Sequence, residues 1–165
     1  MSDKMIAERL QPSLLDRLTD DNPNEFKERR EDRVIDVRRL RDIIQRDLSW
    51  LLNTMNAGKQ LDQNLHPNVG RSVLNFGVEQ VAGGYSTAHR AELIRKSMLE
   101  AIQAFEPRIH SGSLDVELRI DADNRQSIVS FDIRADMWAQ PMPIELYLRS
   151  QVDVTSGKLV LERVA

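Results

Sequence analysis

The most chemically distinctive run in the chain is Glu106-Pro107-Arg108. It sets a carboxylate and a guanidinium on either side of a rigid proline. Such a pair can make charge-assisted, bidentate hydrogen bonds to each other or to a second chain. The residues alone leave two readings open. In one, Pro107 ends a helix and Arg108 neutralises Glu106 as an exposed ion pair of small energetic worth. In the other, the pair docks a partner. A second candidate docking element is the run Ser13-Leu14-Leu15-Asp16-Arg17-Leu18, where Leu14, Leu15 and Leu18 share one helical side and Ser13 offers a cap. It either folds back on the rest of the chain or presents its leucines to a partner.

Other chemistry finds little support. His66, His89 and His110 are widely spaced and none belongs to a paired-ligand motif, so no metal-binding residue is assigned. Cysteine is absent, which excludes disulfides, a thiolate nucleophile and cysteine-ligated zinc or iron–sulfur centres. No phosphate-cradling glycine loop, dinucleotide fingerprint or GxSxG elbow occurs, and no catalytic or cofactor-binding residue is assigned. Glu79, Glu100 and Glu106 could in principle serve a two-carboxylate glycosidase. With 26 acidic residues in the chain, such a pair carries almost no specificity. Arg38, Arg39 and Arg41 could contact nucleic acid. The net charge of −3 and the acids around these arginines argue against it, so no nucleic-acid partner is expected.

These residues need elements to position them. At 165 residues, with 41% hydrophobic and 30% charged side chains, the chain suits one core, and with 5% aromatics that core is aliphatic. The N-terminus lacks the apolar stretch of a signal peptide and no segment approaches the ~18 apolar residues that span a bilayer, so a soluble, unsecreted chain without membrane insertion is expected. Residues 1–33 read as an amphipathic arm, carrying Ile6, Leu10, Leu14, Leu15 and Leu18, followed by a charged linker. Residues 34–165 read as a single domain. Its clearest helix covers 34–54, from the three- and four-residue steps of Val34, Val37, Leu40, Ile43, Ile44, Leu48, Leu51 and Leu52. Asp32 or Asp36 stands at its start, and Asn56 and Gly58 offer a stop. A short apolar segment over 71–82 is interrupted by Gly77. A helix capped by Ser86 or Thr87 runs to Phe105, where Pro107 enforces the end. After Gly112 the period becomes two: Leu114, Val116, Leu118 and Ile120, then Val129, Phe131, Ile133 and Ala135, then Ile144, Leu146 and Leu148, then Leu159 to Val164. Helices first and strands later predict an α+β fold, N-terminal helices packed on a small antiparallel or mixed sheet of three to four strands.

The combination of Pro12-Ser13-Leu14-Leu15-Asp16-Arg17-Leu18, Asp47-Leu48-Ser49-Trp50-Leu51-Leu52-Asn53, Ser72-Val73-Leu74-Asn75-Phe76-Gly77 and Phe105-Glu106-Pro107-Arg108-Ile109 resembles the wedge proteins of contractile-tail phage baseplates, a family sometimes labelled lysozyme-like. The arm favours the branch formed by the TssE subunits of type VI secretion baseplates. Phe76 stands where many relatives show tyrosine. The resemblance implies a structural, non-enzymatic role in the cytoplasm, in a baseplate docked at the inner membrane of a Gram-negative bacterium. It implies TssF, TssG and TssK as baseplate partners and the sheath subunits TssB and TssC above them, with the chain helping to start the sheath. It also implies that Glu106, Pro107 and Arg108 bind the helical core of the wedge. Alanine at Glu106 or Arg108 is expected to leave the isolated fold intact. The family label keeps a peptidoglycan hydrolase as the alternative, although no carboxylate pair is marked for it.

Overall fold

A computed structural model describes residues 13–19, 23–24, 36–58, 62, 64–79, 87–119, 128–138 and 143–164. Helices α1 (Leu14–Leu18), α2 (Val37–Leu52) and α3 (Thr87–Phe105) precede strands β1 (Asp115–Arg119), β2 (Ile128–Met137), β3 (Ile144–Asp153) and β4 (Leu159–Arg163). The fold is α+β, as the change of period predicts. Ile6, Leu10, Val34, Ser86 and most of the charged linker lie outside the described residues.

α2 forms because its apolar residues fall on one stripe. Leu40, Ile43, Ile44, Leu48, Leu51 and Leu52 are all buried. Asp36 caps its start, accepting from the Arg39 N–H at 2.7 Å, which satisfies a helix-terminal donor. The helix ends at Asn53, before Asn56 and Gly58. Beyond it the chain is pulled into a short parallel bridge between Met55 and Val78, closed by Val78 N–H to the Thr54 carbonyl at 2.8 Å and Asn56 N–H to the Val78 carbonyl at 3.0 Å.

Gly77 makes that bridge possible. Its φ is +123°, and a Cβ there would stand 2.3 Å from the Thr54 carbonyl oxygen. The apolar segment expected over 71–82 therefore divides. Its first part is a pair of 3-10 turns, Val69–Arg71 and Val73–Asn75, in which Val73 and Leu74 face solvent. Among its described apolar residues only Phe76 and Val78 pack on the core.

The strands form one antiparallel meander in the order β1-β2-β3-β4, with no parallel pair. Val116 lies opposite Ile133, Ile133 opposite Leu148, and Ser150 opposite Leu161. Alternation gives a dry face of Val116, Phe131, Ile133, Met137, Leu146, Leu148 and Leu161, closed by the buried sides of α2 and of α3 at Ala91, Met98, Ala101 and Ile102. β2 and β3 continue beyond the alternation read from the sequence, to Met137 and Asp153. Leu118 departs from its expected burial. It shares the face of Val116 but stays exposed at the margin of the sheet.

Candidate partner-docking site

Pro107 stops α3 as its ring requires, and the last helical bond runs from the Glu106 N–H to the Ile102 carbonyl at 2.9 Å. Phe105, one residue earlier, meets Phe76 edge to face at 5.4 Å, which seats the end of the helix against the Ser72–Gly77 segment. The chain then pairs with the end of β2: Trp138 N–H donates to the Arg108 carbonyl at 2.7 Å and His110 N–H to the Asp136 carbonyl at 2.9 Å. The triplet is thus held from both ends, by α3 and by β2.

Within that frame Glu106 turns inward. It is only 5% exposed, so the reading of the triplet as a surface ion pair is corrected. Its carboxylate accepts from Arg108 three times, from the backbone N–H at 3.1 Å, Nε at 2.7 Å and a terminal nitrogen at 2.5 Å. That same terminal nitrogen donates to Asp47 of α2 at 2.6 Å. Burial by itself would lower the Arg108 pKa. The hydrogen bonds and charges of Glu106 and then Asp47 outweigh it, so the pKa is raised and the guanidinium stays charged. The other terminal nitrogen of Arg108 is buried without a hydrogen-bond partner among the described residues. Pro107 is exposed.

The network continues outward. Asp47 accepts from Arg46 at 2.7 and 2.9 Å, and Arg46 donates to Asp16 of α1 at 2.7 Å while its guanidinium lies 4.9 Å from the Trp50 ring centroid. Burial would raise the Asp16 pKa. Hydrogen bonds from Arg46 and Ser13, with the Arg46 charge, more than offset this and hold the carboxyl below the usual range. Asp16 thus ties α1 to α2. Leu14 and Leu18 remain about three-quarters exposed and Leu15 about half. The acid of the arm thus packs back on the domain, while its three leucines stay exposed. Trp50 and Trp138 are more than half exposed beside this network.

Glu106, Pro107, Arg108 and the arm are therefore joined through Arg46, Asp47 and Asp16, to which the sequence reading gave no role. Asp47 carried a faint signal, since it borders the buried stripe of α2, four residues from both Ile43 and Leu51.

The alternative chemistries gain nothing here. His66, His89 and His110 are exposed on separate segments, and among the described residues no group of three acids or histidines could hold a metal ion. Glu79 and Glu100 do line one cleft of about 270 Å³. Both are exposed, and Glu100 pairs with Lys96 at 3.8 Å. A two-carboxylate hydrolase needs one acid in a water-poor, apolar setting. No helix among the described residues is long and apolar enough to cross a membrane.

An α+β module whose buried ion network opens onto exposed tryptophans and leucines has the make-up of an assembly subunit. Residues 38–142 match the model of the family described as baseplate wedge protein gp25, which is most of the chain, and the protein belongs to that family. The family is structural, and its members associate with other baseplate subunits. No curated protein and no solved structure matches the chain significantly.

Proposed function

We propose that this chain is the TssE-type subunit of a type VI secretion baseplate, which joins the wedge to the contractile sheath and does no chemistry of its own. In this reading Glu106, Pro107 and Arg108 dock on the helical core formed by TssF and TssG, with TssK attached to the same wedge. The sheath subunits TssB and TssC begin their first ring on the opposite side. The assembly stands in the cytoplasm at the inner membrane. The exposed leucines of α1 supply a second contact with a neighbouring subunit.

The observation that carries the reading is the route from Glu106 through Arg108, Asp47 and Arg46 to Asp16, which links the triplet and the arm through one side-chain network of a baseplate wedge protein. Arginine and tryptophan are among the residue types that dominate docking energies, and Arg108 is partly exposed with Trp50 and Trp138 more than half exposed.

Co-expression with TssF and TssG from the same source, followed by light scattering on the eluted complex, tests it. A joint complex that forms with the parent chain and is lost with a folded Arg108→Lys variant supports the reading and the triplet's part in it. Equal assembly of both would remove the triplet from the interface. No complex, with the chain shown to be folded, would remove the wedge role itself.

A further inference from the structure

The Ser72–Gly77 run carries part of the family resemblance, and its Asn75 has no place in the network of Arg108. Asn75 closes the second 3-10 turn and is 9% exposed. Its side-chain nitrogen donates to the Gly70 carbonyl at 3.0 Å, which fixes the amide, since turning it over would set oxygen against oxygen. Its Oδ1 is left buried with no hydrogen-bond partner. A buried acceptor without a donor is costly, so a donor is expected to reach it. Asn75 lines the cleft of about 270 Å³ between this loop and α3. A second oxygen converges on the same place. A Cβ on Gly58 would stand 3.7 Å from the Asn75 Oδ1 and 3.2 Å from the Asn56 Oδ1. The Asn56 Oδ1 accepts from the Gly58 N–H at 3.1 Å and keeps a second lone pair. Two amide oxygens thus face one point, which the missing Cβ of Gly58 leaves open.

The remaining walls suit a flat cation. Ala101 and Ala104 of α3 add little bulk, and beyond them lies the Phe105 ring, which Phe76 holds edge to face. Glu79 and Glu100 are exposed and form the rim. The loop is fastened there by the Glu79 N–H, which donates to the Ser97 Oγ at 2.7 Å. Among the described residues no lysine or arginine lines the cleft. Lys96 stands outside it and meets Glu100 at 3.8 Å, an exposed pair of small worth that an incoming cation can replace.

We infer that this cleft is the receptor for one arginine side chain of a neighbouring baseplate subunit. A guanidinium is a flat fork of N–H donors with no acceptor. Two of its N–H groups serve the Asn56 and Asn75 oxygens, its face lies on Phe105, and the rim carboxylates offset its charge. An ammonium brings the charge without the flat face. The volume of about 270 Å³ falls below the ~300–1,000 Å³ of pockets for whole small ligands and suits a single side chain. The inference relies on the assembly reading only for the class of partner.

Full-length, isotope-labelled protein would be titrated with N-acetyl-arginine amide and with its citrulline and lysine equivalents, while the amide resonances are followed by NMR. The arginine compound should move the Gly58 backbone signal and the Asn56 and Asn75 side-chain amide signals together, with a midpoint at about 1–10 mM. The citrulline compound keeps the shape and loses the charge. It and the lysine compound should bind about tenfold more weakly. Two variants, each checked for folding by circular dichroism, close the cleft from opposite walls. Gly58→Ala puts a methyl group at the open point. Ala104→Leu fills the cleft from an exposed position of α3, where leucine suits a helix and the loop is untouched. Both should abolish the response. An unmoved Asn75 side-chain signal, a response still linear at about 100 mM, equal binding of the citrulline or lysine compound, or saturation that survives in folded Ala104→Leu protein overturns the assignment. The titration uses the chain alone, so its failure removes the arginine receptor, whereas failure to assemble with TssF and TssG removes the wedge role.

Discussion

Removing the Arg108 side chain should unfold part of the stability of the domain as well as weaken docking. Glu106 is 5% exposed and its carboxylate holds two side-chain bonds from Arg108, at 2.7 and 2.5 Å. Arg108→Ala deletes both, removes the counter-charge of Glu106 and takes from Asp47 a bond of 2.6 Å, leaving it to Arg46 alone. Breaking a buried ion pair from one side costs about 3–5 kcal/mol. Two features reduce that here. The backbone N–H of residue 108 still bonds Glu106, and the Arg108 side chain is 27% exposed, so water reaches the site once the guanidinium is gone. The expected loss is about 2–3 kcal/mol, or about 5–10 °C in Tm for a chain of this size. Urea unfolding followed by circular dichroism reads it as a fall in midpoint at constant slope. Asp47→Asn keeps the Glu106–Arg108 pair and should cost only about 1 kcal/mol. Glu106→Leu with Arg108→Met should recover part of the single-variant loss, because no charge is then left buried. An Arg108→Ala protein within about 0.5 kcal/mol of the parent, or a double variant less stable than the single, would refute the argument that the carboxylate depends on this guanidinium. The expectation that alanine leaves the fold intact belongs to a surface pair. The pair is not on the surface, so loss of assembly by this variant must be read against its stability.

Other outcomes follow from separate contacts. Gly77→Ala meets the Thr54 carbonyl at 2.3 Å in a conformation that side chains avoid, and should cost about 2 kcal/mol or more by thermal unfolding; a neutral change would show that the Met55–Val78 bridge shifts freely. The Asp16 carboxyl is held below its ordinary value. The arm contact should therefore be complete above about pH 4 and lost as pH falls below it, with the α1 amide resonances moving toward random coil; unchanged resonances at pH 2 would sink the Asp16–Arg46 tie. Serine at Leu14, Leu15 and Leu18 together should leave Tm within about 1 °C, since none is buried, while lowering affinity for the assembled wedge; a large fall in Tm would place the leucines in the core. Asn53→Ala removes the helix-end contact to Ser49 and the cover on Leu159, and should cost about 1–2 kcal/mol and promote self-association; a stable monomer at high concentration would contradict the capping of β4.

The sequence by itself determines the elements whose cause is local. The stripe of Leu40, Ile44, Leu48 and Leu51 makes α2, Pro107 ends α3, and the two-residue alternation from Val116 to Leu161 makes the sheet and selects its dry face. Each follows from side-chain periodicity or ring geometry within a few residues. The motifs around Ser72–Gly77 and Glu106–Arg108 also mark the family before any fold is built. Tertiary structure alone decides what those motifs touch. Arg108 reaches Asp47 across 61 positions, and Asn53 takes the edge of Leu159 across 106. No spacing rule encodes such pairs, because they depend on how α2 lies across the sheet. The burial of Glu106 is of the same kind. A carboxylate before a proline reads as exposed until the end of α3, the end of β2 and the flank of α2 are brought together around it. The cover on β4 arises in the same way: it is a short alternating strand in sequence, and only the packing of α2 beside it brings Asn53 and Gln45 onto its outward backbone groups.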